Sequence, residues 1–325
     1  MPTGEFELIA RHFTGRGAQR DDVIIGVGDD AAVVTPRAGS ELVLALDTIV
    51  AGVHFPADTS GRFVGHRALA VNLSDFAAMG AEPAWALLGL TLPAADDRWI
   101  GEFASGLDTL ARRFGVALIG GDTTRGPLAA SVTAAGWVPT GAALTRRGAK
   151  AGDDLWVSGT VGDSGAGLAI LKGELATGGA AREELLRRFL LPEPRVALGQ
   201  ALRGIASACI DISDGLAGDL AKLCDASQVG ARLDCERLPR SQELRDAAGE
   251  DLSLRLALTA GDDYELLFTA PAAARSRIEA LAAATPVCRI GEIRPTPGLE
   301  LAGAVVGRDL VHGFDHFTDG SHDPR

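Results

Sequence analysis

The chain has no Cys-x-x-Cys pair, and its four cysteines, Cys209, Cys224, Cys235 and Cys288, are too few and too scattered for a disulfide scaffold. They are expected to be reduced packing residues, and a zinc site is not expected. Hydrophobic residues make up 46% of the sequence, yet no run approaches the roughly 18 apolar residues that span a bilayer. A transmembrane reading therefore fails, and no membrane partner is expected. The opening MPTGEFELIARHF places two acids before its first base and lacks an apolar signal core, so the expected location is cytoplasmic. The net charge of −12 disfavours a nucleic-acid partner, because binding that backbone needs clustered lysine and arginine to release counterions. A small anionic substrate remains open, provided that a metal bridges it.

Two nucleotide signatures are also missing. Ser158–Gly167 superficially resembles a phosphate loop but lacks the Gly-Lys-Ser/Thr ending, and no G-x-G-x-x-G opens a helix in the required frame. That segment reads as a tight strand-to-helix turn. There is no persuasive His-Asp relay or activated nucleophile either.

The sequence does carry acids at the ends of apolar runs: VIIGVGDD ending at Asp30, LVLALD at Asp47, VALIGGD at Asp122 and ACIDISD at Asp211 and Asp214. A fifth acid, Asp75, opens the helix-like NLSDFAAMG. Carboxylates brought together in this way repel by roughly 3 kcal/mol per pair at about 5 Å and an effective dielectric near 20. Cations relieve that repulsion, and hard oxygen ligands without cysteine pairs favour magnesium, which usually accompanies phosphate substrates. The residues alone point to a metal-dependent phosphoryl-transfer enzyme.

The 325 residues exceed what one core usually serves, and two domains are expected. The polar connector GAALTRRGAKAGD reads as mobile and sets the boundary between about Thr140 and Gly152, giving domains 1–145 and 146–325. Both halves alternate strand and helix patterns. In the first, strands are predicted over 23–27, 42–46, 84–92, 116–119 and 128–138, with helices over 63–79 and 98–114. In the second, strands are predicted over 154–158, 208–212, 231–235, 264–269 and 287–293, and helices near 165–171, 183–191, 195–205, 216–226 and 272–283.

Each motif has a plainer reading. Gly28-Asp29-Asp30 could be an ordinary Asp-rich turn, and the similar Asp153-Asp154 is read as one. Gly120-Gly121-Asp122-Thr123-Thr124-Arg125 is stronger, since glycines permit close backbone approach and Asp122 can hold metal. Ser213 in Asp211-Ile-Ser-Asp-Gly215 could cap the next helix, and a helix start also suits phosphate. His54 could be a packed histidine, Phe314 core or a stacking platform, and Asp262, Asp263 and Glu265 acids at a strand start.

Taken in order, GEFELIARHF, VGDDAAVV, DTIVAGVHF, ALAVNLSDFAAMGAEP, LIGGDTTRG, LTRRGAKAGD, DISDGL and GDDYELLF resemble the thiamine-monophosphate kinase family from Gly4 to about Phe317. The set is highly specific, although each piece alone is weak. The resemblance implies an α+β protein of two mixed α/β domains of the aminoimidazole ribonucleotide synthetase (PurM-like) type, dimerising through the first. It implies transfer of the γ-phosphoryl group of ATP to thiamine monophosphate with several Mg2+ ions. By position, it assigns metal to Asp30, Ala45, Leu46, Asp47, Asp75, Asp122, Asp211 and Asp214. ATP would meet Gly121, Asp122, Arg146 and Ser213, with Asp122 and Arg146 catalytic, and the thiamine moiety would meet His54, Asp262 and Phe314. The partners implied are ATP, thiamine monophosphate and a second copy of the chain.

This chain departs from the family in two places. Ala45-Leu46-Asp47 stands where the family commonly has Ser/Thr-Thr-Asp, leaving only backbone carbonyls as ligands at the first two positions. Gly261-Asp262-Asp263-Tyr264-Glu265 replaces Gly-Glu-Asp-Tyr-Glu, shortening the first acid by one methylene. Within the superfamily, a selenophosphate synthetase would want a reactive cysteine near the amino terminus and a hydrogenase-maturation dehydratase one at the carboxyl end, and neither is present. A binding protein that senses the nucleotide or thiamine phosphate without transfer is the alternative of another class.

Overall fold

The computed structural model describes residues 5–303, so Phe314 lies outside the described residues. They divide into two units. The first runs to Phe76, resumes at Ala81 and ends at Gly141; the second takes Ala77–Gly80 and the chain from Ala142 onward.

The first unit contains α1 (Glu5–His12), β1 (Val23–Ile25), β2 (Val33–Val34), β3 (Ser40–Val50), α2 (Gly61–Ala78), β4 (Glu82–Leu92), α3 (Asp97–Arg113), β5 (Ala117–Arg125) and β6 (Ala129–Pro139). The sheet order is β3-β6-β4-β5, antiparallel except for the β4/β5 pair, which α3 joins as a parallel crossover. α3 has the predicted apolar face, with Ile100, Phe103, Leu107 and Leu110 all buried. Asp96 caps it by accepting N–H bonds from Arg98 and Trp99 at 3.0 and 3.2 Å. α2 is buried along most of its length and sits tightly on α3. A Cβ added at Gly65 would stand 2.0 Å from the Phe103 carbonyl oxygen, so only glycine permits that approach.

The second unit contains β7 (Asp153–Ser158), α4 (Asp163–Lys172), α5 (Gly179–Leu190), α6 (Val196–Ala201), β8 (Ala208–Asp211), α7 (Leu216–Ser227), β9 (Gly230–Asp234), α8 (Gln242–Thr259), β10 (Leu266–Pro271), α9 (Arg275–Leu281), β11 (Val287–Arg294) and β12 (Gly298–Ala302). Among the described residues its sheet order is β12-β9-β11-β7-β10-β8. Leu155, Val157, Ile210, Leu220, Leu233, Leu267 and Ile290 form the centre of its core.

Several local expectations change. Asp153 and Asp154 do not make a plain turn but begin β7, both buried. Asp154 is held by Arg275 at 2.6 Å and Arg289 at 3.0 Å, which keep its carboxyl below the usual carboxylate range despite burial. The connector expected to be mobile is fastened: the Cys209 N–H donates to Thr145 O at 2.9 Å, and Ser227 Oγ to Arg146 O at 2.8 Å. α8 and β12 were not anticipated. α8 is two helical pieces joined across a non-helical Gly249 (φ 70, ψ 178), which breaks the apolar period that would have revealed it.

Candidate functional site

Both glycine-acid motifs of the first unit border one cavity of about 760 Å³, to which Gly28, Asp29 and Asp30 contribute from the β1–β2 connection and Gly120, Gly121 and Asp122 from β5. A volume of this size lies in the ordinary range for small-molecule sites. Gly121 is required by its surroundings, since φ is +152° and a Cβ there would stand 2.0 Å from the Leu88 carbonyl oxygen. Gly28 takes φ +118°, which turns the chain into the two acids. Asp30 and Asp122 are both exposed. No histidine, cysteine or lysine lines this cavity among the described residues. It offers carboxylate oxygens and backbone amides, with no imidazole, thiol or amine among the described lining residues.

The other acids of the first unit take different places. Asp122 lies inside β5 and Asp47 inside β3, whereas a strand-end position had been expected for each. The register pairs Asp122 with Gly89, Gly89 with Ser131 and Ser131 with Thr48; the next row runs Asp47, Val132, Leu88, Gly121. Adjacent rows face opposite sides of a sheet, so Asp47 shares the side of the buried Val132 and Leu88 while Asp122 faces the other. Asp75 sits in the last turn of α2 and does not open a helix. Ala45 and Leu46 are neighbours of Asp47 in β3, with Leu46 63% exposed. His54 follows β3, half-buried, and its Nδ1 accepts the Val50 N–H at 3.0 Å, which assigns the proton of a neutral ring to Nε2.

The second unit interlocks three motifs. The Asp262 N–H donates to Ser213 O and the Tyr264 N–H to Ile212 O, both at 2.9 Å, joining GDDYE to DISDG. Asp263 is buried beneath and accepts the Gly162 N–H at 2.6 Å and the Ser164 N–H at 3.2 Å, tying both to the Ser158–Gly167 turn. Asp262 and Tyr264 adopt φ of 69° and 50°, left-handed values uncommon outside glycine, and this clamp over-determines them. Burial pushes the Asp263 carboxyl up to about 8, against the pull of the Arg188 charge. Because the folded value is raised, its contribution to stability is complete below the ordinary aspartate range and is lost as pH climbs toward 8.

Ser213 does not cap α7, whose N-cap position is Gly215 with no side-chain cap. Asp219, inside the first turn of α7, instead reaches back to the loop before the helix, its Oδ2 accepting the N–H groups of Ser213 and Asp214 at 3.0 and 2.9 Å. Asp211 is buried at the end of β8, and Arg146 is exposed. Glu265 is wholly buried among Ser158 Oγ at 2.5 Å, Arg188 at 2.9 Å and a two-pronged Arg195 at 2.7 and 2.5 Å. Burial alone would raise its carboxyl, but the Arg195 hydrogen bonds and both guanidinium charges bring it below the usual range. A second cavity of about 590 Å³ borders this network. Its arginines are committed to Glu184, Asp163 and Glu265, which leaves little charge for an anion.

The sequence reading missed the arginine partners of Glu265 and the anchoring part of Asp263. Lys222, which pairs with Asp214, was missed too. An apolar strand with an acid immediately before it was the only available signal.

Comparison with known proteins agrees with this two-part architecture. Residues 28–138 match the family model of the AIR synthase related protein N-terminal domain, and residues 150–304 that of the C-terminal domain. The thiamine-monophosphate kinase of Escherichia coli K12 is 44% identical over 327 residues, covering 98% of this chain and 99% of that protein. The chain belongs to the thiamine-monophosphate kinase family. The crystal structure of thiamine-monophosphate kinase from Stenotrophomonas maltophilia K279a superposes with a TM-score of 0.84 at 47% identity, over 93% of this chain and 96% of that one. AaThiL complexed with AMPPCP and TMP gives a TM-score of 0.78 at 32% identity, over 90% and 92% of the two chains. The thiamine-monophosphate kinase relationship thus extends over both units. No helix among the described residues is long and apolar enough to cross a membrane.

Proposed function

We infer that this chain transfers the γ-phosphoryl group of ATP directly to the phosphate of thiamine monophosphate, giving thiamine diphosphate and ADP. The observation that carries the reading is the pairing of Gly28-Asp29-Asp30 with Gly121-Asp122 around one cavity in a chain of this family. Among the described residues no group of three or more His, Cys, Asp or Glu is placed to hold a metal, so those residues form no closed metal cage. That fits Mg2+, which is commonly held by one or two carboxylates together with substrate phosphates and water. Asp30 and Asp122 would hold one such ion, and Asp47, Asp75, Asp211 and Asp214 are proposed separately as metal ligands, each to be tested singly. When bound, Mg2+ supplies charge neutralisation to the phosphates and to the equatorial oxygens of an in-line transfer.

The remaining work falls to the chain itself. Gly121 lets phosphate oxygens reach the β5 backbone, and Arg146, exposed, complements their charge. Ser213 contributes a hydroxyl near the α7 start, and His54 and Asp262 address the thiamine moiety. The acceptor phosphate, with a second pKa near 6, is its own nucleophile, so alignment and charge compensation replace general base catalysis. ATP, Mg2+ and thiamine monophosphate should together yield thiamine diphosphate and ADP, and excess EDTA should stop the reaction. ATP hydrolysis with no thiamine diphosphate would contradict the reading, and binding without product would favour the sensor.

A homodimer is part of the proposal. Leu42, Leu44 and Leu46 of edge strand β3 are 52%, 64% and 63% exposed and alternate onto one face. The register carries Leu46 across Thr133 to Leu87, itself 41% exposed on β4. A contiguous apolar stripe that starts on an edge strand is a liability unless covered, and a two-fold axis covers it with its own copy. Leu44→Glu should halve the solution mass measured by light scattering. A wild-type mass of one chain would refute the dimer.

A further inference from the structure

The turn that carries Asp214 holds a cation of its own. Asp219 and Lys222 lie one helical turn apart on α7, and Lys222 Nζ donates to Asp219 Oδ1 at 2.9 Å and to Asp214 Oδ2 at 2.5 Å. Asp219, 1% exposed, uses its other oxygen to fix the Ser213 and Asp214 amides. Asp214 is 29% exposed and Lys222 40% exposed, so the ammonium can leave for water while Asp219 keeps the backbone in place.

We propose that Lys222 is a tethered cation that competes with a divalent ion for the Asp214 carboxylate, and so sets how readily this turn takes up metal. The proposal rests on the reading of Asp214 as a metal-capable acid. With Lys222 in place, the Asp214–Asp219 pair carries one net negative charge, and a divalent ion must first displace the ammonium. Without it the pair carries two, and attraction to a divalent ion increases while desolvation of the carboxylates is unchanged. Contact with two carboxylates favours the side chain as the ammonium that the proposal requires.

Lys222→Met keeps the alkyl stem and removes the charge. Titration of Mn2+ alone, followed by the loss of its free paramagnetic signal, should show about tenfold tighter binding in Lys222→Met, equivalent to about 1.4 kcal/mol. Lys222→Arg should stay within about twofold of wild type, and adding Asp214→Asn to Lys222→Met should abolish the gain. Unchanged or weaker binding in folded Lys222→Met would overturn the proposal. Should that variant not fold, Lys222→Gln takes its place: tighter Mn2+ binding by about tenfold is expected, and unchanged or weaker binding overturns the proposal. Mn2+ binding is read without turnover, so failure of the kinase assignment would appear separately, as absent product with the Lys222 effect intact.

Discussion

Asp122→Asn is expected to lower kcat for thiamine diphosphate formation by about a thousandfold while leaving the unfolding midpoint close to wild type. The side chain is exposed on β5 and borders the 760 Å³ cavity, so the fold does not depend on its charge. On the proposed function, its loss removes one of the two carboxylates that would hold Mg2+ against the transferring phosphate. Removing a single group that stabilises transition-state charge typically costs about 10²–10³ in rate, and loss of metal adds to that. Steady-state kinetics paired with a urea titration of the same preparation reads both quantities. Turnover within about tenfold of wild type would remove Asp122 from the site, and a collapse of stability would show that it is structural.

The opposite profile is expected for Glu265→Gln. The amide cannot satisfy Arg188, Arg195 and Ser158 at once, and it leaves two guanidinium groups in a site where Arg188 is 8% exposed with less negative charge to balance them. Breaking a buried ion pair by removing one partner typically costs about 3–5 kcal/mol. The urea midpoint should fall accordingly, with the loss in the transition that reports the second unit. A change below about 1 kcal/mol would mean that the arginines find other partners and that this network does not hold β10 to β7.

Much of the fold was legible because its signals are local. The α3 face at Ile100, Phe103, Leu107 and Leu110 repeats every three to four residues, and β4 and β6 are long, apolar and bounded by turns. The weaker results came where a residue's place is decided by partners distant in the chain. Asp122 and Asp47 look alike in sequence, each closing an apolar run, yet a single step of register puts them on opposite faces of the same sheet. Asp154 and Glu265 read as turn or strand-start acids, and only Arg275, Arg289, Arg188 and Arg195, brought from far along the chain, make them buried ion-pair members. The expected Ser213 cap is absent because the α7 helix brings the Asp219 carboxylate back over the preceding turn, where it fixes the Ser213 and Asp214 amides. The family resemblance proposes the identities of the site residues. The register gives their faces, which the resemblance does not contain.

The most direct test follows the phosphoryl group itself. With γ-labelled ATP, Mg2+ and thiamine monophosphate in a single turnover, the label should pass to the terminal phosphate of thiamine diphosphate at the rate at which ATP disappears, with none retained on the protein. Label released as inorganic phosphate, or held covalently on the chain before it reaches the product, would contradict direct transfer between two phosphates held side by side.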